Sequence, residues 1–125
     1  MRFYWTCEAL AQRQVQAAVP VLARLAHADG PPDLHGPAGM GQGYPAARAL
    51  ARLLGDLHHE EVQRLLKSEN VWVRAGALSG LTDARAPGLE QFLEQLLAGH
   101  QPGLIRDHAQ VGRGWLKMAP GEPDP

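Results

Sequence analysis

The sequence predicts an all-α fold, a short α-α superhelix (a small solenoid) of about three antiparallel helix pairs. Three observations predict it. Apolar residues recur at three- to five-residue intervals along most of the chain, the spacing of one helix face. Ala and Leu dominate a composition that is 45% hydrophobic but only 6% aromatic, a balance that favours close-packed helices over sheets. A helix–turn–helix pattern over residues 65–83 has a degenerate copy on either side.

The first helical pattern runs from about Glu8 to Ala28, where Leu10, Val15, Val19, Leu22 and Leu25 share a face. Pro20 removes a backbone donor and crowds the preceding turn, so a kink or a break is expected there. Residues 30–43 hold too many glycines and prolines for a helix or a strand and read as a flexible loop. Pro45 suits the first turn of a helix running to about Leu54, and Gly55 can take the left-handed cap.

A short helix from about His59 to Lys67 places Glu60 and Glu61 in its first turn and Lys67 in its last, as the helix dipole prefers. Asn70 can cap the next helix, expected to end near Leu81, with a turn from Asp83 to Gly88. Leu89 to Ala98 follows, with Leu89, Phe92, Leu93, Leu96 and Leu97 on one face, and Gly99 closes it. The last helix is expected from about Gly103 to Met118, and residues 119–125 read as a disordered tail.

A chain of 125 residues is expected to form one domain, here 1–118. Its repeats fall at about 9–55, 56–83 and 84–118, with the 30–43 loop inside the first. The formal charge of −1 argues against a dedicated nucleic-acid binder. The single cysteine, Cys7, allows no intrachain disulfide and reads as a free structural thiol. No apolar run approaches the ~20 residues of a membrane span, and residues 1–8 lack a secretion signal's apolar core. A cytoplasmic location is the expectation.

The repeat is specific in places. Residues 77–81 align with residues 49–53 at an offset of 28, and Val73-Arg74-x-x-Ala77 aligns with Ile105-Arg106-x-x-Ala109 at an offset of 32. Val73, Ala77 and Leu81 make a stripe at spacing four, while Gly76 and Gly80 beside it invite close approach of a neighbouring backbone.

The segment Leu65-Leu66-Lys67-Ser68-Glu69-Asn70-x-x-Val73-Arg74-x-x-Ala77-Leu78-x-x-Leu81 resembles a HEAT-like helical repeat, of the short variety found in phycobilisome-lyase-type proteins. The third unit keeps Ile105-Arg106 and Ala109, whereas Pro45-Ala46 replaces the Val-Arg pair in the first. The resemblance implies a stack in which Val73, Arg74, Ala77, Leu81, Ile105, Arg106 and Ala109 are structural repeat positions. It implies that Arg74 and Arg106 bond to an acidic side chain or to carbonyls of an adjoining repeat. It also implies a scaffold or adaptor, with bacterial immunity or regulation among the settings it suggests.

No catalytic, cofactor-binding or metal-binding set is expected. In His58-His59-Glu60-Glu61, adjacent helical side chains point about 100° apart and do not converge, so the run reads as a solvated turn. The glycine-rich stretch 39–43 follows no strand and precedes no Lys-Ser/Thr, so it is no phosphate loop. Asp33, Asp56 and Asp107 read as turn or helix-flank carboxylates. The functional expectation is instead a non-catalytic protein-binding surface on the second helices, formed by Tyr44, Arg48, Trp72, Ser79 and His108 and facing a protein partner. In the rival reading, Tyr44 and Trp72 cover core ends between repeats. Leu104 and Val111 belong to the same side, Arg113 and Trp115 extend it, and the terminal apolar residues equally suit self-association. Two alternatives stay open: an enzyme or enzyme accessory of the lyase type that the resemblance implies, and weak nucleic-acid binding through Arg48, Arg52, Arg74, Arg106 and Arg113.

Overall fold

A computed structural model of the chain describes residues 16–28 and 43–118. Cys7, Asp33, the start of the first predicted helix, the loop up to residue 42 and the predicted tail lie outside the described residues. Every regular element among the described residues is helical. A single 3-10 turn at Gln16–Ala18 leads into α1 (Val19–Ala28), followed by α2 (Gly43–Leu54), α3 (Glu60–Leu66), α4 (Val71–Ala84), α5 (Leu89–Ala98) and α6 (Gly103–Leu116). The fold is all-α.

Local chemistry accounts for the boundaries. Pro20 is the second residue of α1, where its missing N–H costs nothing, and the 3-10 turn before it marks the expected interruption. Gly55 ends α2 with φ of 58°, a conformation open to glycine. His59, expected in a solvated turn, caps α3: its Nδ1 accepts the Glu61 N–H at 3.1 Å. Asn70 caps α4, its Oδ1 accepting the Trp72 N–H at 2.9 Å, while Ser68 Oγ accepts the Asn70 N–H at 3.1 Å.

The helix after Asn70 runs one turn beyond the expected end at Leu81. The stop comes from Arg85, which takes the left-handed conformation (φ 51°) usually left to glycine. Its N–H donates to Thr82 O and the Ala86 N–H to Leu81 O, each at 3.1 Å. Thr82 donates its hydroxyl to Leu78 O at 2.8 Å and so stays inside the helix. α6 ends at Leu116, two residues short of the expected Met118.

Helix α4 is the hub. It packs against α2, α3 and α6, while α1 packs on α2 and α5 on α6. Val73, Ala75, Gly76, Ala77, Leu78, Gly80, Leu81 and Thr82 are all buried, so α4 is enclosed on most sides and has no polar face to spare. The core joins it to Leu22, Leu50, Val62, Leu65, Leu89 and Leu93 from the other helices.

The α2–α4 contact is a backbone contact. A Cβ at Gly76 would lie 2.5 Å from Tyr44 O and 3.2 Å from the Ala47 methyl. One at Gly80 would collide with Arg48 O and come within 2.8 Å of Arg52 N. The partners of Gly80 lie further along α2 than those of Gly76, so the two helices run in the same sense. The α4–α6 contact repeats the pattern: Gly112 meets Thr82, and Trp115, further along, meets Arg85.

Gly80→Ala gains about 1 kcal/mol of helix propensity but forces the two backbones apart, so a net loss of about 1–3 kcal/mol is expected in denaturant titration. Gly114→Ala, where a Cβ meets nothing within 4 Å, should stabilise by about 0.4–1 kcal/mol. Asn70→Ala should cost about 1 kcal/mol through loss of the α4 cap, read from the same titration.

Candidate functional site

Five residues singled out by the sequence come from three helices and meet on one face as two bonded sets. In the first, Tyr44 near the start of α2 lies edge-on to Trp72, with ring centroids 5.9 Å apart and planes at 79°. Its hydroxyl is 3.1 Å from His108 Nε2 on α6. His108 Nδ1 is 2.9 Å from the carbonyl of Leu104, one turn back. The Nδ1–H tautomer satisfies both contacts: the ring donates to Leu104 O and accepts from Tyr44.

In the second set, Arg48 Nε donates to Ser79 Oγ at 3.0 Å and its Nη2 donates to Asp83 Oδ2. Arg52 Nη1 stands 4.0 Å from the same carboxylate oxygen. This pairing is possible because Gly76 and Gly80 let α2 lie against the backbone of α4. Asp83 is a residue that sequence reasoning missed. Placing the helix end at Leu81 put Asp83 in a turn, although it lies one helical turn after Ser79.

Beside these sets a groove of about 350 Å³ opens between α4 and α6. Ser79, Thr82 and Asp83 form one wall, and Asp107, His108, Val111, Gly112 and Trp115 the other. Val111 is 73% exposed, an aliphatic side chain left in solvent at the groove. The Arg85 guanidinium lies 5.7 Å from the Trp115 ring centroid and donates to Trp115 O at 3.4 Å. Asp107 is not a flank residue: it sits inside α6 on the groove wall. Of the five residues, Ser79 and His108 line the groove, whereas Tyr44, Arg48 and Trp72 brace it from α2 and the start of α4.

The structural repeat positions Val73, Ala77, Leu81, Ile105 and Ala109 are buried. Arg74 departs from what the resemblance implies. Its Nη1 donates to Ser68 O at 2.7 Å, a carbonyl of its own preceding turn and not of an adjoining unit. Arg106 makes no such bond among the described residues. Elsewhere Asp56 Oδ1 accepts the His58 N–H at 2.9 Å, so the His58–Glu61 stretch is spent on turn and cap geometry. Among the described residues no three His, Cys, Asp or Glu side chains gather as a metal site, and no helix is long and apolar enough to cross a membrane.

A double-mutant cycle on Arg48→Met and Asp83→Asn is expected to give a coupling of about 1 kcal/mol, since the pair is partly shielded from water. The coupling should shrink but persist in ~1 M salt. Comparison with family models, with curated proteins and with solved structures returns no match for the chain.

Proposed function

We propose that the chain is a non-catalytic binding module that seats a protein partner in the α4–α6 groove, on the side formed by the second helices of a short HEAT-like stack. The observation that carries this reading is the groove itself, whose lining includes the exposed Val111 and the half-buried Trp115. Exposed apolar surface beside a concavity is what a partner covers. The bonded sets behind it, Tyr44–His108 and Arg48–Ser79–Asp83, hold its walls in place before binding, which limits the entropy lost on association. The stack reading draws support from the shared direction of α2, α4 and α6 and from the docking of α1, α3 and α5 on them in turn.

Binding is favoured over lyase-type chemistry because the hydroxyls and the imidazole that line the groove are already engaged, Thr82 with Leu78 O among them. Ser79 Oγ accepts from Arg48, and both nitrogens of His108 have partners. A protein partner is favoured over nucleic acid because Arg48 and Arg52 turn toward Asp83 and Arg74 toward a carbonyl. A reducing cytoplasm suits a chain with one cysteine.

A photo-crosslinking amino acid at position 111 is expected to trap a partner from native lysate. The same group replacing Glu94, exposed on α5, should trap none. Excess unlabelled wild-type chain should suppress the crosslink, and excess Val111→Asp chain should suppress it at least about tenfold less. Equal trapping from both positions, or equal competition by both chains, overturns the proposal.

A further inference from the structure

We infer that a second, smaller cleft, lined by Arg74, binds a carboxylate carried on a short aliphatic stem. The cleft shares no residue with the α4–α6 groove and does not depend on what fills that groove. It encloses about 60 Å³. Leu66 from α3, Leu78 from α4, Phe92 and Leu96 from α5 and Ile105 from α6 make its walls. Its polar lining is Arg74 and Gln101, and no acidic side chain belongs to it.

Arg74 is a half-buried cation without an anion. Its side chain makes one bond among the described residues, from Nη1 to Ser68 O. A carbonyl carries only partial charge, so the cost of drawing a guanidinium out of water is left partly uncompensated. Glu69, close by in sequence, is exposed and forms no ion pair among the described residues. The bond from Nη1 leaves the Nε–H and an Nη2–H, the parallel donors that grip a carboxylate with two bonds. Gln101 is half-buried as well, and its side-chain amide makes no hydrogen bond among the described residues, so it can give a third. Helix α6 starts just after Gln101 with no side-chain cap, and its positive end adds to the same potential.

Volume and walls select the ligand. A space of this size takes one small group. The apolar walls cover a short alkyl stem and strengthen the attraction at Arg74. Phosphate brings more charge and no apolar part, and the walls offer its further oxygens no donor. A free short-chain acid and the last residue of a polypeptide both present the chemistry that fits.

Titration of the isotope-labelled full chain, followed by nuclear magnetic resonance, tests this. Butyrate is expected to shift the Arg74 Nε–H and Gln101 side-chain amide signals saturably. Butyramide, its neutral isostere, and inorganic phosphate should each bind at least about tenfold more weakly. Arg74→Met should weaken butyrate at least about tenfold and Gln101→Leu at least about threefold. Arg106→Met, outside the cleft, should leave the affinity unchanged. Melting curves show whether each variant keeps its fold, and Gln101→Leu, in the connection between α5 and α6, keeps the test open if Arg74→Met does not. N-acetyl-leucine binding more tightly than butyrate assigns the cleft to a polypeptide C-terminus, and butyrate binding at least as tightly assigns it to a free acid. No saturable shift, equal binding of butyramide or of phosphate, or wild-type affinity in both cleft variants overturns the inference.

Discussion

Two absent side chains set the geometry of this protein. At Gly76 and Gly80 the backbone of α4 lies directly against the backbone of α2, at distances where any Cβ would meet a carbonyl or an amide nitrogen. Each glycine costs a helix about 1 kcal/mol. What offsets that cost is contact that no larger residue permits: Ala47 and Ala51 against the glycines, and burial of the small and branched side chains around α4. With the helices this close, Tyr44 reaches past α4 to His108, and Arg48 reaches Ser79 and Asp83. The order of causes therefore runs from glycine spacing to helix separation, and from helix separation to the polar bonds that brace the groove.

The same economy explains why the face is half closed and half open. On the α2 side the polar groups are paired with one another, so that surface is rigid and already satisfied. On the α6 side, Gly112 brings the backbone in against Thr82, where a Cβ would be 2.7 Å from the hydroxyl oxygen. Val111 and Trp115 then stand on either side of Gly112, and among the described residues no helix covers Val111. The groove lies where α4 and α6 part, between Ser79, Thr82 and Asp83 on one side and Asp107 to Trp115 on the other.

Much of this was legible from the residues. The apolar stripe of Leu89, Phe92, Leu93, Leu96 and Leu97 fixes α5 to the residue, and Asn70 marks the start of α4 because few side chains cap an N-terminus as well. The closeness of Tyr44 to Trp72, and of Arg48 to α4, followed from laying one unit on the next. What stayed hidden depended on tertiary contact. No local signal announces that Arg85 will accept a left-handed backbone, because a glycine three residues on, Gly88, is the more obvious stop. The extra turn of α4 is what brings Thr82 and Asp83 to the groove. Likewise, spacing alone makes Arg74 and Arg106 equivalent, yet among the described residues Arg74 bonds a carbonyl, that of Ser68, and Arg106 bonds none.

The hydroxyl of Tyr44 and the ring of His108 are separated by 64 residues and belong to α2 and α6. In an array whose units touch only their immediate neighbours, each end can fray while the rest persists. A bond from α2 to α6 that passes by α4 removes that freedom, since releasing either helix breaks a link to the other. The described helices are thus tied into a ring of dependencies, and the chain should melt in a single cooperative transition in place of a stepwise unzipping.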